Sequence, residues 1–103
     1  MRFIFEVKID RDRGNELLRD PQFGAKMNQL LADVKAEAAY FSTVDGQRGG
    51  YIVLNMDDAS EIPAKAEPFF LWLHADIRVI PVMKPEDLQK AGPFIGAAVQ
   101  KWG

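Results

Sequence analysis

The first segment of the chain alternates between hydrophobic and polar positions. Within residues 2–10, one face carries Phe3, Phe5, Val7 and Ile9. The opposite face is mixed in character. A period of two with aromatic and β-branched residues predicts a β-strand. We expect helices to cover the phenylalanine-bearing face.

The pattern then changes to helical spacing. Residues 11–14 are expected to close the strand, and residues 15–20 to form a short helical turn. Asp20 before Pro21 predicts the start of a helix over about 21–36, because aspartate caps helices and proline suits the first helical position. The apolar positions that we assign to core packing recur at helical spacing: Phe23, Met27, Leu30, Leu31 and Val34.

Two further strands are predicted between Ala38 and Met56, and a glycine-rich turn joins them. Asp45-Gly46 favours a tight turn, since glycine adopts a positive φ without steric cost. A longer loop that runs from Asp45 to Gly49 fits the pattern equally well. Gly49-Gly50 predicts a bulge or a close approach of the backbone to a neighbouring strand.

A second helix is expected after this hairpin. Asp58 or Ser60 can cap it, because both side chains accept hydrogen bonds from the free N–H groups of a first turn. Pro68 should kink the helix or divide it into two pieces. The helix is predicted to end near His74.

The last predicted strand covers residues 76–83 and contains Pro81. Proline cannot donate a hydrogen bond to a sheet, so this strand is placed at an edge. A third helix is expected to start at Lys84 and to be broken at Gly92-Pro93. The amphipathic segment 94–102 would then pack on its own subunit or on a partner.

These elements form a β-α-β-β-α-β pattern in a single domain, residues 1–103. The pattern predicts an α+β, ferredoxin-like fold: a four-stranded antiparallel sheet, helices on one face, and an added C-terminal helix. The uncovered sheet face, here called the bare face, would carry Ile4, Glu6, Tyr40, Tyr51, Val53, Arg78, Ile80 and Val82. A partly apolar surface of this kind favours a partner or a ligand. Two such sheets packed face to face would give a homodimer.

Composition narrows the possible chemistry. The chain has 13 basic and 15 acidic residues, a net charge of −2, one histidine and no cysteine. No basic patch points to nucleic acid, and the absence of cysteine excludes disulfides and thiolate catalysis. We expect no metal and no cofactor. No apolar run approaches the roughly 20 residues of a membrane span, so we expect no membrane association and a cytoplasmic location.

Five motifs carry a resemblance to a known superfamily: residues 20–24, 38–41, 45–50, 66–70 and 81–88. In these motifs the chain resembles the dimeric α+β-barrel superfamily, and within it small bacterial proteins similar to muconolactone isomerase. The resemblance implies a homodimer with a small-molecule pocket. It also implies cofactor-free isomerisation or oxygenation of a small organic acid or aromatic. A binding or interaction module without catalysis is the alternative, in which the polar sheet face only specifies the dimer.

Seven polar side chains are candidates for a site. Arg48 lies on the glycine-rich turn, where it could bind a carboxylate or remain a solvated loop arginine. His74 and Glu6 are weaker catalytic candidates as proton-transfer groups. His74 is also explained by its place at a helix end, and Glu6 is expected to pair with Arg78. The bare face supplies further candidates for ligand binding or for an interface: Tyr40, Tyr51, Asn55 and Arg78.

Overall fold

A computed structural model describes all residues from 1 to 103. The elements in chain order are β1 (Arg2–Ile9), α1 (Arg11–Leu18), α2 (Phe23–Asp33), β2 (Ala38–Val44), β3 (Gln47–Asn55), a 3₁₀ turn (Ala59–Glu61), α3 (Ile62–Leu73), β4 (Ala75–Val82) and α4 (Pro85–Trp102). The four strands form one antiparallel sheet in the order β2-β3-β1-β4. This is the predicted α+β, ferredoxin-like arrangement with a C-terminal helix, and β4 lies at an edge as Pro81 required.

The core lies between one face of the sheet and the helices. Phe5 on β1 and Leu54 on β3 are fully buried, and the Phe5 ring meets Phe69 of α3 edge-on at 6.0 Å between centroids. The predicted apolar stripe of α2 does face this core, because Leu30 is buried and the stripe's other members are buried or pack against the cluster. The helices and the residue that ends α2 add further buried side chains: Leu17, Val34, Ala66 and Leu73.

The hairpin between β2 and β3 has a two-residue loop. Asp45 and Gly46 have φ values of 49° and 77°, and positive φ at both positions is the type I′ turn that matches the twist of the flanking strands. The longer loop was therefore the wrong alternative. The register continues through Gly49 and Gly50 without an extra residue, so this glycine pair marks a close approach of strands and not a bulge.

The first two helices depart from their predicted bounds. α1 begins at Arg11, directly after β1, because the Asp10 carboxylate accepts a hydrogen bond from the Arg13 N–H at 2.9 Å and caps the helix. The expectation that residues 11–14 close the strand was wrong. α2 begins two residues later than predicted, because Asp20 turns its carboxylate onto the Gln22 N–H at 2.8 Å in a preceding turn.

α3 ends near His74 as predicted, but it begins at Ile62 after a separate 3₁₀ turn, and its inner proline does not divide it. Asp58 caps the 3₁₀ turn, and α3 runs without interruption through Pro68. His74 ends it in the left-handed conformation with φ of 50°, and its N–H donates to the Phe70 carbonyl at 3.1 Å. His74 is therefore the left-handed C-cap residue of α3, and its catalytic role stays a prediction.

A reciprocal capping box at the 3₁₀ turn predicts a pH effect. The N–H of Ser60 donates to Asp58, and the N–H groups of Asp57 and Asp58 donate to Glu61 at 2.7 and 2.9 Å. These bonds lower the pKa of both carboxyls, chiefly through backbone donors. A pKa lowered by folding gives stability that is present above the unfolded value of roughly 4 and is lost as the pH falls through the folded value.

We therefore expect Glu61→Gln to lower the melting temperature at pH 7 and to lower it by less at pH 2.5, since acid progressively protonates the wild-type carboxylate. Thermal unfolding followed by circular dichroism at both pH values measures the difference. The matched control is Glu67→Gln, since the Glu67 side chain makes no hydrogen bond or salt bridge. Equal losses at the two pH values would contradict the role of the Glu61 charge.

α4 is one continuous helix of 18 residues. The predicted break at Gly92-Pro93 is wrong, because this part of the helix is exposed and the carbonyl that loses its partner at Pro93 can bond to water. No residue of α4 is buried. The folded protein extends 58 Å along its longest axis. Its radius of gyration is 17.2 Å, whereas a compact protein of this length has a radius of gyration of about 13 Å. α4 therefore projects from the domain.

None of the helices combines the length and the apolar character needed to cross a membrane.

Candidate ligand-binding site

A cavity of about 450 Å³ lies between α1, α2 and the β2–β3 hairpin, on the side of the sheet that the helices cover. Its wall is formed mainly by five large apolar side chains: Leu17, Leu18, Phe23, Met27 and Phe41. This volume is within the usual range of small-molecule sites, roughly 300–1,000 Å³. We refer to this space below as the cavity.

The apolar wall of the cavity is unusually open to solvent. Leu18 is 58% exposed and Phe41 is 64% exposed, although both side chains lie on the helix-covered side of the protein. The neighbouring Leu17 is buried in the core. Burial of a large apolar side chain is favourable by about 1.5–3 kcal/mol, so this wall would gain stability from an apolar occupant.

One glycine keeps the cavity open on its helical side. Gly24, near the start of α2, lines the cavity and has no atom within 4 Å of the position that a Cβ would take. Gly49 on β3 also lines the cavity, but a Cβ there would meet the Val7 carbonyl oxygen on β1. The cavity volume therefore depends on the lack of a side chain at Gly24 as well as on the helix spacing.

Phe23 is held in place from outside the cavity. Its ring packs against Trp72 of α3 with 5.7 Å between centroids. Lys26 lies over the same indole, with Nζ 5.3 Å from the ring centroid. This stack ties the start of α2 to α3, so the wall carrying Phe23 is anchored to the core.

Arg48 is the cationic residue of the cavity. Its Nη1 donates to Asn15 Oδ1 at 2.9 Å, and no carboxylate lies within salt-bridge distance of it. A Cβ at Gly14 of α1 would be 2.9 Å from the same Nη1. Glycine at position 14 therefore gives the guanidinium room to lie against α1, beside Asn15.

Four of the predicted residues form one line across the bare face. Tyr40, Tyr51, Glu6 and Arg78 are paired in register across β2, β3, β1 and β4. The expected pair is present, with Arg78 Nη1 3.7 Å from Glu6 Oε2. The Arg78 side chain is largely exposed, so this pair adds little stability. The row lies on the opposite side of the sheet from the cavity.

The remaining predicted residues lie elsewhere. Asn55 is at the end of β3, where its Oδ1 accepts a hydrogen bond from the N-terminal ammonium at 3.0 Å. His74 is exposed at the end of α3 and is not part of the cavity wall. The seven candidates therefore occupy four places, and only Arg48 lines the cavity. The roles assigned to them stay predictions.

Sequence reasoning missed most of the cavity. Phe23 and Met27 pack against the core as predicted but also line the cavity, and the sequence pattern indicates no role for Leu18 or Asn15. One signal was available: Leu17 and Leu18 are adjacent on a helix, and adjacent helical residues point about 100° apart, so they could not both face the same core.

No three histidine, aspartate or glutamate side chains converge in a way that could hold a metal ion. Comparison with curated proteins finds none whose sequence matches this chain. A family profile described as "Domain of unknown function (DUF3303)" matches residues 1–93, which is nearly the whole chain. The chain therefore belongs to the DUF3303 family.

Proposed function

We propose that this protein binds a small organic acid or aromatic molecule in the cavity between α1, α2 and the hairpin. The observation that carries the proposal is the combination of an exposed apolar wall with a single cation. Leu18 and Phe41 offer apolar contacts that nothing in the chain covers, and Arg48 has a neutral amide as its only side-chain partner. A guanidinium without a carboxylate partner suits an acid group.

The wall supports binding better than catalysis. Apart from Arg48, its polar side chains are Asn28 and Ser42, and no histidine, tyrosine or carboxylate lines the cavity. General acid–base catalysis needs a titratable group within hydrogen-bond reach of the substrate. The resemblance to muconolactone isomerase relatives favours isomerisation or oxygenation of the same ligand class. The predicted proton-transfer groups Glu6 and His74 lie outside this wall, so binding is the role that we propose.

Filling the cavity tests the proposal. In Gly24→Leu the new side chain enters open space, and leucine favours a helix over glycine by roughly 0.8 kcal/mol, so the variant should fold at least as stably as the wild type. We use 4-phenylbutyrate as a probe, with an expected Kd on the order of 0.1–1 mM for a ligand of its size. Gly24→Leu should weaken its binding at least tenfold by isothermal titration calorimetry.

Gly24→Ala is the matched control, because it brings most of the helix stabilisation but only one methyl group. It should retain probe binding within about threefold. Failure of the wild type to bind the probe would refute the proposed ligand class. Unchanged affinity in Gly24→Leu would show that the ligand binds somewhere else.

A second proposal concerns self-association, which the unpartnered surfaces of the chain favour. Tyr40 on the bare face is 64% exposed. α4 also exposes an apolar stripe, with Leu88, Ile95, Val99 and Trp102 on one side of the helix. A helix that packs on nothing gains its stability from a partner. We propose that a second copy of the chain covers the bare face and the α4 stripe, as in the dimeric α+β barrels that the sequence resembles.

A further inference from the structure

Next to the cavity lies a smaller pocket of about 240 Å³ without any hydrophobic residue. We call it the polar pocket. It is lined by Arg11, Asn15, Thr43, Gly46, Gln47 and Arg48. Arg48 lines both the cavity and the polar pocket. An apolar space and a cationic space therefore adjoin each other at one guanidinium.

The two arginines of the polar pocket lack carboxylate partners. Arg2, Arg13 and Arg78 each have a glutamate within 4.0 Å. Arg11 and Arg48 have none, and no acidic residue lines the polar pocket. The chain as a whole carries a net charge of −2, so the polar pocket is locally cationic in a protein that is negative overall.

The position of Arg11 is not explained by local stability. It is the first residue of α1, where the positive end of the helix dipole disfavours a cation by a few tenths of a kcal/mol. Its side chain makes no hydrogen bond within the chain. A cation that gains nothing from its own helix is better explained by an anion that binds beside it.

We infer that the polar pocket holds the acid group of an amphipathic ligand whose apolar body occupies the cavity. The inference rests on the proposed function, because it names the headgroup of the same ligand. Arg48 donates to the acid group at the junction, Arg11 contacts it from α1, and the Asn15 amide and Thr43 hydroxyl complete the donors. Paired guanidiniums match the oxygens of a carboxylate or of a phosphate monoester, which share this chemistry.

Three probes with one apolar body test the inference: 4-phenylbutyrate, 4-phenylbutanol and 4-phenylbutyl phosphate. The wild type should bind at least one of the two acids tenfold or more tightly than the alcohol in calorimetry. Tighter binding of the phosphate would assign the pocket to a phosphate headgroup, and tighter binding of the carboxylate would assign it to a carboxylic acid. Either order supports an oxyanion site.

Arg11→Gln provides the specific variant, since Arg11 lines the polar pocket but not the cavity. It should weaken binding of the preferred acid about tenfold and leave 4-phenylbutanol within about twofold. Arg19→Gln is the control, because Arg19 also lacks a salt bridge but lines neither space. It should bind all three probes as the wild type does.

Three outcomes distinguish failure of the acid pocket from failure of the proposed ligand cavity. Equal affinity for the alcohol and the acids, with binding still lost in Gly24→Leu, would overturn the acid pocket and leave the cavity as the site. The same loss in Arg19→Gln as in Arg11→Gln would also overturn the acid pocket. Absence of binding by all three probes would overturn both.

Discussion

Gly49→Ala is expected to destabilise the protein by about 3 kcal/mol, the upper end of the usual cost of overpacking and a large part of the roughly 5–15 kcal/mol typical of a domain. A Cβ at position 49 would overlap the Val7 carbonyl oxygen on β1 and lie 3.1 Å from a methyl of Val44. Val7 and Gly49 belong to the central strand pair, so the strands would have to separate. Overpacking against backbone is costly, since no side-chain rotation can relieve it.

Urea unfolding followed by circular dichroism measures this loss. Gly50→Ala should behave similarly, because its Cβ would overlap the Tyr40 carbonyl oxygen on β2. The matched control is Gly96→Ala in α4, where the added methyl meets nothing within 4 Å and no proline follows. Alanine should stabilise that exposed helix by up to about 1 kcal/mol. A loss below 1 kcal/mol in both hairpin variants would refute the close strand approach.

Placing charges on the apolar stripe of α4 is expected to halve the mass of the protein in solution. The wild type should elute as a dimer, at about twice the chain mass of 11.6 kDa. The double variant Ile95→Lys with Val99→Lys puts two ammonium groups where the proposed partner packs. Burying two unpaired ammonium groups costs far more than removing two aliphatic side chains from an interface. Light scattering coupled to size-exclusion chromatography measures the mass.

The control adds the same two charges to the other side of the helix, as Ala97→Lys with Gln100→Lys, and should remain dimeric. Tyr40→Lys tests the bare face, and its exposed position means that the monomer should still fold. We expect it to weaken the dimer as well. A monomeric wild type at micromolar concentration would refute self-association, and a dimer that survives both the α4-stripe variant and Tyr40→Lys would place the interface on another surface.

The sheet was predictable because its signals are local and agree with one another. Strict alternation around Phe5 identifies β1, and Pro81 by itself assigns β4 to an edge. The choice between two hairpin loops was not predictable, since Asp45-Gly46 and Gly49-Gly50 both contain residues suited to turns. The register across β3 decided it, and that register depends on the core face that carries Ile52 and Leu54.

The predicted helix bounds were wrong where two local sequence signals favoured different structures. Gly14 and the charges around it suggested a loop, but the Asp10 cap was sufficient to start α1. Gly92-Pro93 suggested a break, although an exposed helix tolerates one missing hydrogen bond when the freed carbonyl reaches water. In both cases the breaker residue was recognised and the strength of the surrounding helix was underestimated.

The candidate site was predictable only at Arg48, which stands out as a charge within a glycine-rich turn. The apolar wall was not, because Phe23 and Met27 have the same spacing whether they fill a core or line a cavity. The difference depends on how far α1 and α2 stand from β2, which is a property of long-range packing. Arg11 was missed for a related reason, since its proximity to Arg48 depends on α1 beginning directly after β1.

The floor of the cavity has a consequence for how this site can change. At Gly49 the surface offered to a ligand is bare backbone, and the lack of a side chain there is also what lets β3 lie close to β1. A side chain at Gly49 would separate the strands instead of reshaping the floor, so this part of the site is fixed. The dimensions of the site depend on the side chains around that floor, with Leu18 and Gly24 on the helices and Phe41 on β2. Selectivity for one ligand over another therefore belongs to these positions.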